Sequence, residues 1–92
     1  MRLALIYKRQ GDFDLAIPLW ERAADKDDLE AYIELAKYYE HRVLDYPKAL
    51  RWTQDAIKIL ERKDYGRFEK KRWLDELEHR RDRLLRLNQK NV

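Results

Sequence analysis

The chain has 92 residues, enough for about one domain, with 42% charged and 45% hydrophobic side chains. Cysteine and serine are absent and Thr53 is the single threonine, so disulfides, thiolate metal sites and serine or cysteine nucleophiles are excluded, and a cytoplasmic location is the default. The net charge of +3 is uneven: residues 1–61 carry ten Lys and Arg against twelve Asp and Glu, residues 62–92 eleven against six. Two surfaces with different electrostatic partners are expected.

Leu3, Ala4 and Tyr7 mark one apolar face of a first helix. Its run Leu3–Tyr7 is far shorter than the ~20 residues of a membrane span or the ~7–15 of a signal h-region, so no membrane partner is expected. Gly11 stops this helix, because glycine tolerates the left-handed position that ends helices. Asp12 is the natural N-cap of a second helix, with Asp14 near its positive dipole end and Ala16, Trp20 and Ala23 along its apolar face. Pro18 falls inside it, where proline costs about 3 kcal/mol, and a kink is expected there.

The pattern then recurs. Leu3, Ala4 and Tyr7 return as Leu35, Ala36 and Tyr39, each 32 residues on, while Phe13, Ala16, Trp20 and Ala23 return as Tyr46, Ala49, Thr53 and Ala56, each 33 residues on. This is an internal repeat of two helix pairs. Asp45 can cap the fourth helix, and Pro47 sits in its first turn, where the missing N–H costs nothing. The extra residue within 40–45 should distort the turn between the third and fourth helices. From residue 67 to 89 the pattern does not recur. Trp73, Leu74, Leu77, Leu84, Leu85 and Leu87 fall on one side of a helical wheel, as the wet-faced terminal helix of a repeat array requires.

Large residue, leucine, small residue, tyrosine, Gly-Asp-aromatic, alanine, aromatic, alanine: this order and spacing resemble the tetratricopeptide repeat over roughly residues 1–60. The resemblance implies an all-α short right-handed solenoid: repeat 1 over 1–28 with a truncated first helix, repeat 2 over 29–62, and a capping helix within 63–92. The linker Asp25–Asp28 lacks the family's usual proline, and Thr53 stands where an aromatic is usual. More narrowly, Leu3–Gly11, Ala31–Arg42 and Leu77–Arg80 resemble the helical tail of bacterial ribonuclease-H-like proteins of exonuclease type. That implies an appendage of a longer chain, whose nuclease carboxylates lie elsewhere.

Two sets of candidate site residues follow. On the repeat alignment Leu5, Lys8, Arg9, Glu30, Ile33, Glu34, Lys37, Glu40 and His41 face the concave groove, and Lys8, Arg9, Lys37, Glu40 and His41 are the protein-binding candidates. The lysine and asparagine clamp of chaperone-tail receptors is missing, since Met1, Leu5 and Glu34 stand at its first three positions. On the last helix Lys71, Arg72, Arg83, Arg86 and Lys90 are the nucleic-acid candidates, although Asp75, Glu76, Glu78 and Asp82 interleave with them. Arg81 falls between Leu77 and Leu84 on the wheel and is expected to dock the cap through a carboxylate or carbonyl, so that Arg81→Ala costs more stability than Arg83→Ala. His41 and His79 have neither a positioned partner nor metal-ligand spacing. Trp52 and Trp73 read as core anchors.

The leading expectation is a non-catalytic protein-interaction or scaffold module without cofactor or metal; two glycines cannot build the phosphate loops of nucleotide enzymes. The alternative is an accessory nucleic-acid-binding region attached to a ribonuclease-H-like exonuclease domain. Two units fall short of the roughly three that arrays need. An exposed apolar edge at Leu3, Ile6 and Tyr7, with self-association through it, is therefore expected.

Overall fold

Short polar connectors leave each amphipathic segment only its chain neighbours to pack against, and the architecture follows from that constraint. The computed structural model describes residues 2–90. Among them the ordered elements are all helical: α1 (Arg2–Arg9), α2 (Phe13–Ala24), α3 (Leu29–Tyr38), a π-helical turn (Tyr39–Val43), α4 (Tyr46–Arg62) and α5 (Arg67–Lys90). Each helix packs on the next in sequence. None is long and apolar enough to cross a membrane.

The core has two parts joined by α3. Ala4, Ala16, Trp20, Ala24, Ala31 and Leu35 form an alanine-rich cluster around one large ring, where small side chains bring α1, α2 and α3 close together. The other part is aliphatic: Leu29 and Ile33 of α3 meet Ala56, Ile57, Ile59 and Leu60 of α4 and Leu77 of α5. The Thr53 hydroxyl, fully buried in α4, donates to the Ala49 carbonyl at 2.8 Å and leaves no unpaired polar atom there. Trp52 and Trp73 are half-buried; Trp52 meets Tyr32 edge-on at 5.4 Å.

Helix ends follow local chemistry. Asp28 and Asp45 accept hydrogen bonds from the Glu30 and Lys48 N–H groups, both at 3.1 Å. Asp12 takes the N-cap position of α2, but its side chain makes no capping bond. α2 runs continuously through Pro18. The proline lies on its exposed side, where the carbonyl of Asp14 loses its helical partner to proline but remains open to water.

The turns after α1 and α3 correspond in detail. In the first, the Asp12 N–H donates to the Tyr7 carbonyl at 2.8 Å and Gly11 is left-handed at φ 81°. In the second, the Asp45 N–H donates to the Tyr39 carbonyl at 2.9 Å and Leu44 is left-handed at φ 61°. The closing bond spans one residue more in the second case. The surplus residue is taken up in Tyr39–Val43, where the backbone widens to a single π-helical turn.

Leucine is a poor residue for a left-handed position, which costs a non-glycine residue about 1–2 kcal/mol, and the Leu44 side chain is 61% exposed. Leu44→Gly is expected to raise stability by up to about 1 kcal/mol, since glycine's larger unfolded-state entropy offsets part of the relief. Thermal melting of the two proteins measures it; a lower melting temperature for the variant would show that the Leu44 side chain stabilises the turn.

Candidate functional site

α1 and α3 lie on one side of the molecule, and their exposed faces meet the N-terminus of α2 in a groove of about 360 Å³. Leu5, Phe13, Trp20 and Tyr38 make its apolar floor, and Lys8, Arg9, Lys37, His41 and Arg42 surround it with one carboxylate, Glu34. Glu34 is shared: its Oε2 accepts from Lys8 Nζ at 2.7 Å, while Lys37 Nζ lies 3.7 Å from its Oε1. Arg9 makes no ion pair among the described residues, and the Arg42 guanidinium lies 4.8 Å over the Phe13 ring. Phe13 in turn stacks tilted on Tyr38, with centroids 5.1 Å apart. The result is an aromatic floor under a cationic rim with a surplus of positive charge, suited to carboxylates carried on a partly apolar segment.

Of the expected groove residues, Lys8, Arg9, Glu34, Lys37, His41 and Leu5 are brought together here. Glu30 lines an adjoining depression with Leu5, Trp20 and Glu34. Ile33 is in the core instead, 3% exposed. Glu40 also leaves the groove, being only 4% exposed. The widened turn directs it toward α5, where Arg80 Nη1 donates to its Oε1 at 2.6 Å and Arg83 grips it bidentately through Nε (2.7 Å to Oε2) and Nη2 (3.0 Å to Oε1). Burial by itself would raise the Glu40 pKa. The hydrogen bond and charge of Arg83, with the charges of Arg80 and His41, outweigh it and hold the carboxyl below its usual value.

This cluster changes the reading of α5. Arg83 belongs to the ion cluster rather than to a phosphate-tracking face. The docking role expected of Arg81 falls to Arg80 and Arg83; Arg81 is half-exposed and faces Glu78 and Asp82 on its own helix. The expected order is therefore reversed, with Arg83→Ala more damaging than Arg81→Ala. The seam of α5 runs Trp73, Leu77, Arg80, Leu84 and Leu87, a four-three alternation that places Arg80 in line with the two buried leucines. Counting Leu85, which is 40% exposed, as part of the apolar face turns the wheel toward Arg81. The spacing Leu77-x-x-Arg80-x-x-x-Leu84 was the signal that would have found Arg80.

Among the remaining nucleic-acid candidates, Lys71 pairs with Asp75 at 3.0 Å and the Arg72 guanidinium sits 5.9 Å over Trp73. Arg86 and Lys90 are exposed and make no ion pair among the described residues. His41 and His79 are both exposed, and no group of histidine and carboxylate side chains with metal-binding geometry occurs among the described residues.

No family model and no solved structure matches the chain. It is similar to one curated protein of Bacillus subtilis (strain 168), the uncharacterized protein YprB, with 37% identity over 59 residues. The match covers 60% of this chain but 14% of that protein. The chain thus corresponds to a small segment of a much longer relative.

Proposed function

We propose that the chain is a non-catalytic protein-interaction module of tetratricopeptide type, two helix-turn-helix units closed by a terminal helix, whose α1–α3 groove holds an acidic segment of a partner protein or adjoining domain. The observation that carries this reading is the groove itself: Lys8, Arg9, Lys37 and Arg42 around an aromatic floor, with Glu34 as the one carboxylate among its lining residues. The paired left-handed turns at Gly11 and Leu44 support the repeat reading. A match that covers 14% of a far longer relative fits a module that works beside other parts of a chain.

The test is binding of a fluorescent peptide rich in Asp and Glu with one aromatic residue. The double variant Arg9→Glu, Lys37→Glu should weaken binding by about tenfold or more, equivalent to at least about 1.4 kcal/mol, with an unchanged circular dichroism spectrum. Unchanged affinity would reject the groove as the working surface.

A second reading, an accessory nucleic-acid-binding region beside a ribonuclease-H-like exonuclease domain, is favoured by one observation: Arg86 and Lys90 at the end of α5 are exposed and make no ion pair among the described residues. It requires micromolar binding of single-stranded RNA or DNA that falls steeply between ~50 and ~200 mM salt and is lost on charge reversal at Arg86 and Lys90. Binding indifferent to those changes would dismiss it.

A further inference from the structure

The free face of α1 carries an inference about a second partner surface, and it rests on the repeat reading above. Leu35 of α3 is fully buried, in one cluster with Ala16, Trp20 and Ala24 of α2. Its counterpart 32 residues earlier, Leu3 of α1, is 52% exposed, and Ile6 is 42% exposed beside it. The companion alanines, Ala4 and Ala36, are both buried. The same kind of helix face is thus covered by α2 in one unit and bare in the other. The bare face borders a cleft of about 430 Å³ between Leu3 of α1 and Leu19 and Ala23 of α2. Arg2, Arg22 and Lys26 line it, and no carboxylate does.

We infer that the α1 edge docks an acidic amphipathic helix of a separate polypeptide, lying on Leu3 as α2 lies on Leu35. The chemistry of that occupant is set by two observations. Its apolar face must cover Leu3, Ile6 and Leu19, which a helix with apolar residues at i, i+3 and i+4 does. Its flanks must be negative, because the described residues that line the cleft include three cations and no carboxylate. α2, which covers α3, carries Asp14 and Glu21 against Arg22, and the residues flanking it add Asp12, Asp25, Asp27 and Asp28 against Lys26, so the segment 12–28 is acidic overall. A second copy of the chain placed two-fold on this edge would set Arg2, Arg22 and Lys26 against themselves, which like-charge repulsion disfavours.

The probe is a fluorescein-labelled synthetic peptide of residues 12–28, titrated into the full chain and followed by anisotropy. Leu3→Asp and Arg22→Glu, both at exposed positions, should each weaken binding by about tenfold, with the helical spectrum retained, while Lys58→Glu, exposed on α4 and outside both the cleft and the groove, leaves it unchanged. Weakening by Arg9→Glu but not by Leu3→Asp would place the peptide in the groove, which overturns this inference and leaves the interaction module standing. Equal weakening by Leu3→Asp, Arg22→Glu and Lys58→Glu, or no binding by the wild type, also overturns it. A chain that sediments as a dimer and becomes monomeric on Leu3→Asp would assign the edge to a second copy instead.

Discussion

Replacing Glu40 with alanine is expected to lower stability by about 3–5 kcal/mol, the usual cost of removing one partner of a buried ion pair. Arg80 is 7% exposed, and its Nε already lacks a hydrogen-bond partner among the described residues. Without Glu40 its guanidinium loses the 2.6 Å contact as well, and the remaining acid, Glu76, stands 3.9 Å away on the exposed side. α5 keeps Leu77 against Ala56, Ile57, Ile59 and Leu60 of α4, so helicity should survive while amide exchange quickens around residues 80–88. Urea denaturation of Glu40→Ala beside Arg81→Ala measures the difference, and equal losses would contradict the assignment. The pH dependence follows in sign. The Glu40 pKa is depressed in the folded chain, so its contribution is complete above the ordinary glutamate range, near pH 4.3, and is lost as pH falls through the lower folded value. The stability gap between wild type and Glu40→Gln should therefore narrow in acid; a gap that widens there would refute the depressed pKa.

Trp20→Ala is the second large effect. The ring is 2% exposed and is the one large aromatic among the buried alanines and Leu35 of the first cluster, so its removal opens a cavity the surrounding small side chains cannot fill. A loss of about 3–5 kcal/mol is expected for such a truncation. The same ring lines the groove, so acidic-peptide binding should weaken in parallel, even where the variant is still folded at low temperature. A variant that melts early yet binds the peptide normally would separate Trp20 from the groove.

Much of the fold was legible because its signals are local. Gly11, Asp45 and Pro47 act within one turn of chain, and the alanines at helical spacing mark the faces that pack; the cap at Asp28 was missed, and the one expected at Asp12 makes no side-chain bond. The groove was legible too, since Lys8, Arg9, Lys37 and His41 follow from which face of α1 and α3 the alanines leave outside. Glu40 and Arg80 were not, for a reason of geometry. One surplus residue widened the backbone after Tyr38 and rotated Glu40 from the groove face to the α5 face, and spacing reveals the surplus but not the direction of the rotation. Arg80 was hidden because a charged residue on a seam looks like a break in it until its partner, 40 residues away in sequence, is known. The role assigned to Arg81 failed for the same reason.

Backbone amide shift mapping with the Asp- and Glu-rich peptide tests whether the α1–α3 groove is the working surface. A working groove gives shifts gathered at Lys8, Arg9, Phe13, Lys37, Tyr38 and His41 and none at the end of α5. Shifts confined to Arg86 and Lys90, or spread thinly over every basic side chain, would contradict it.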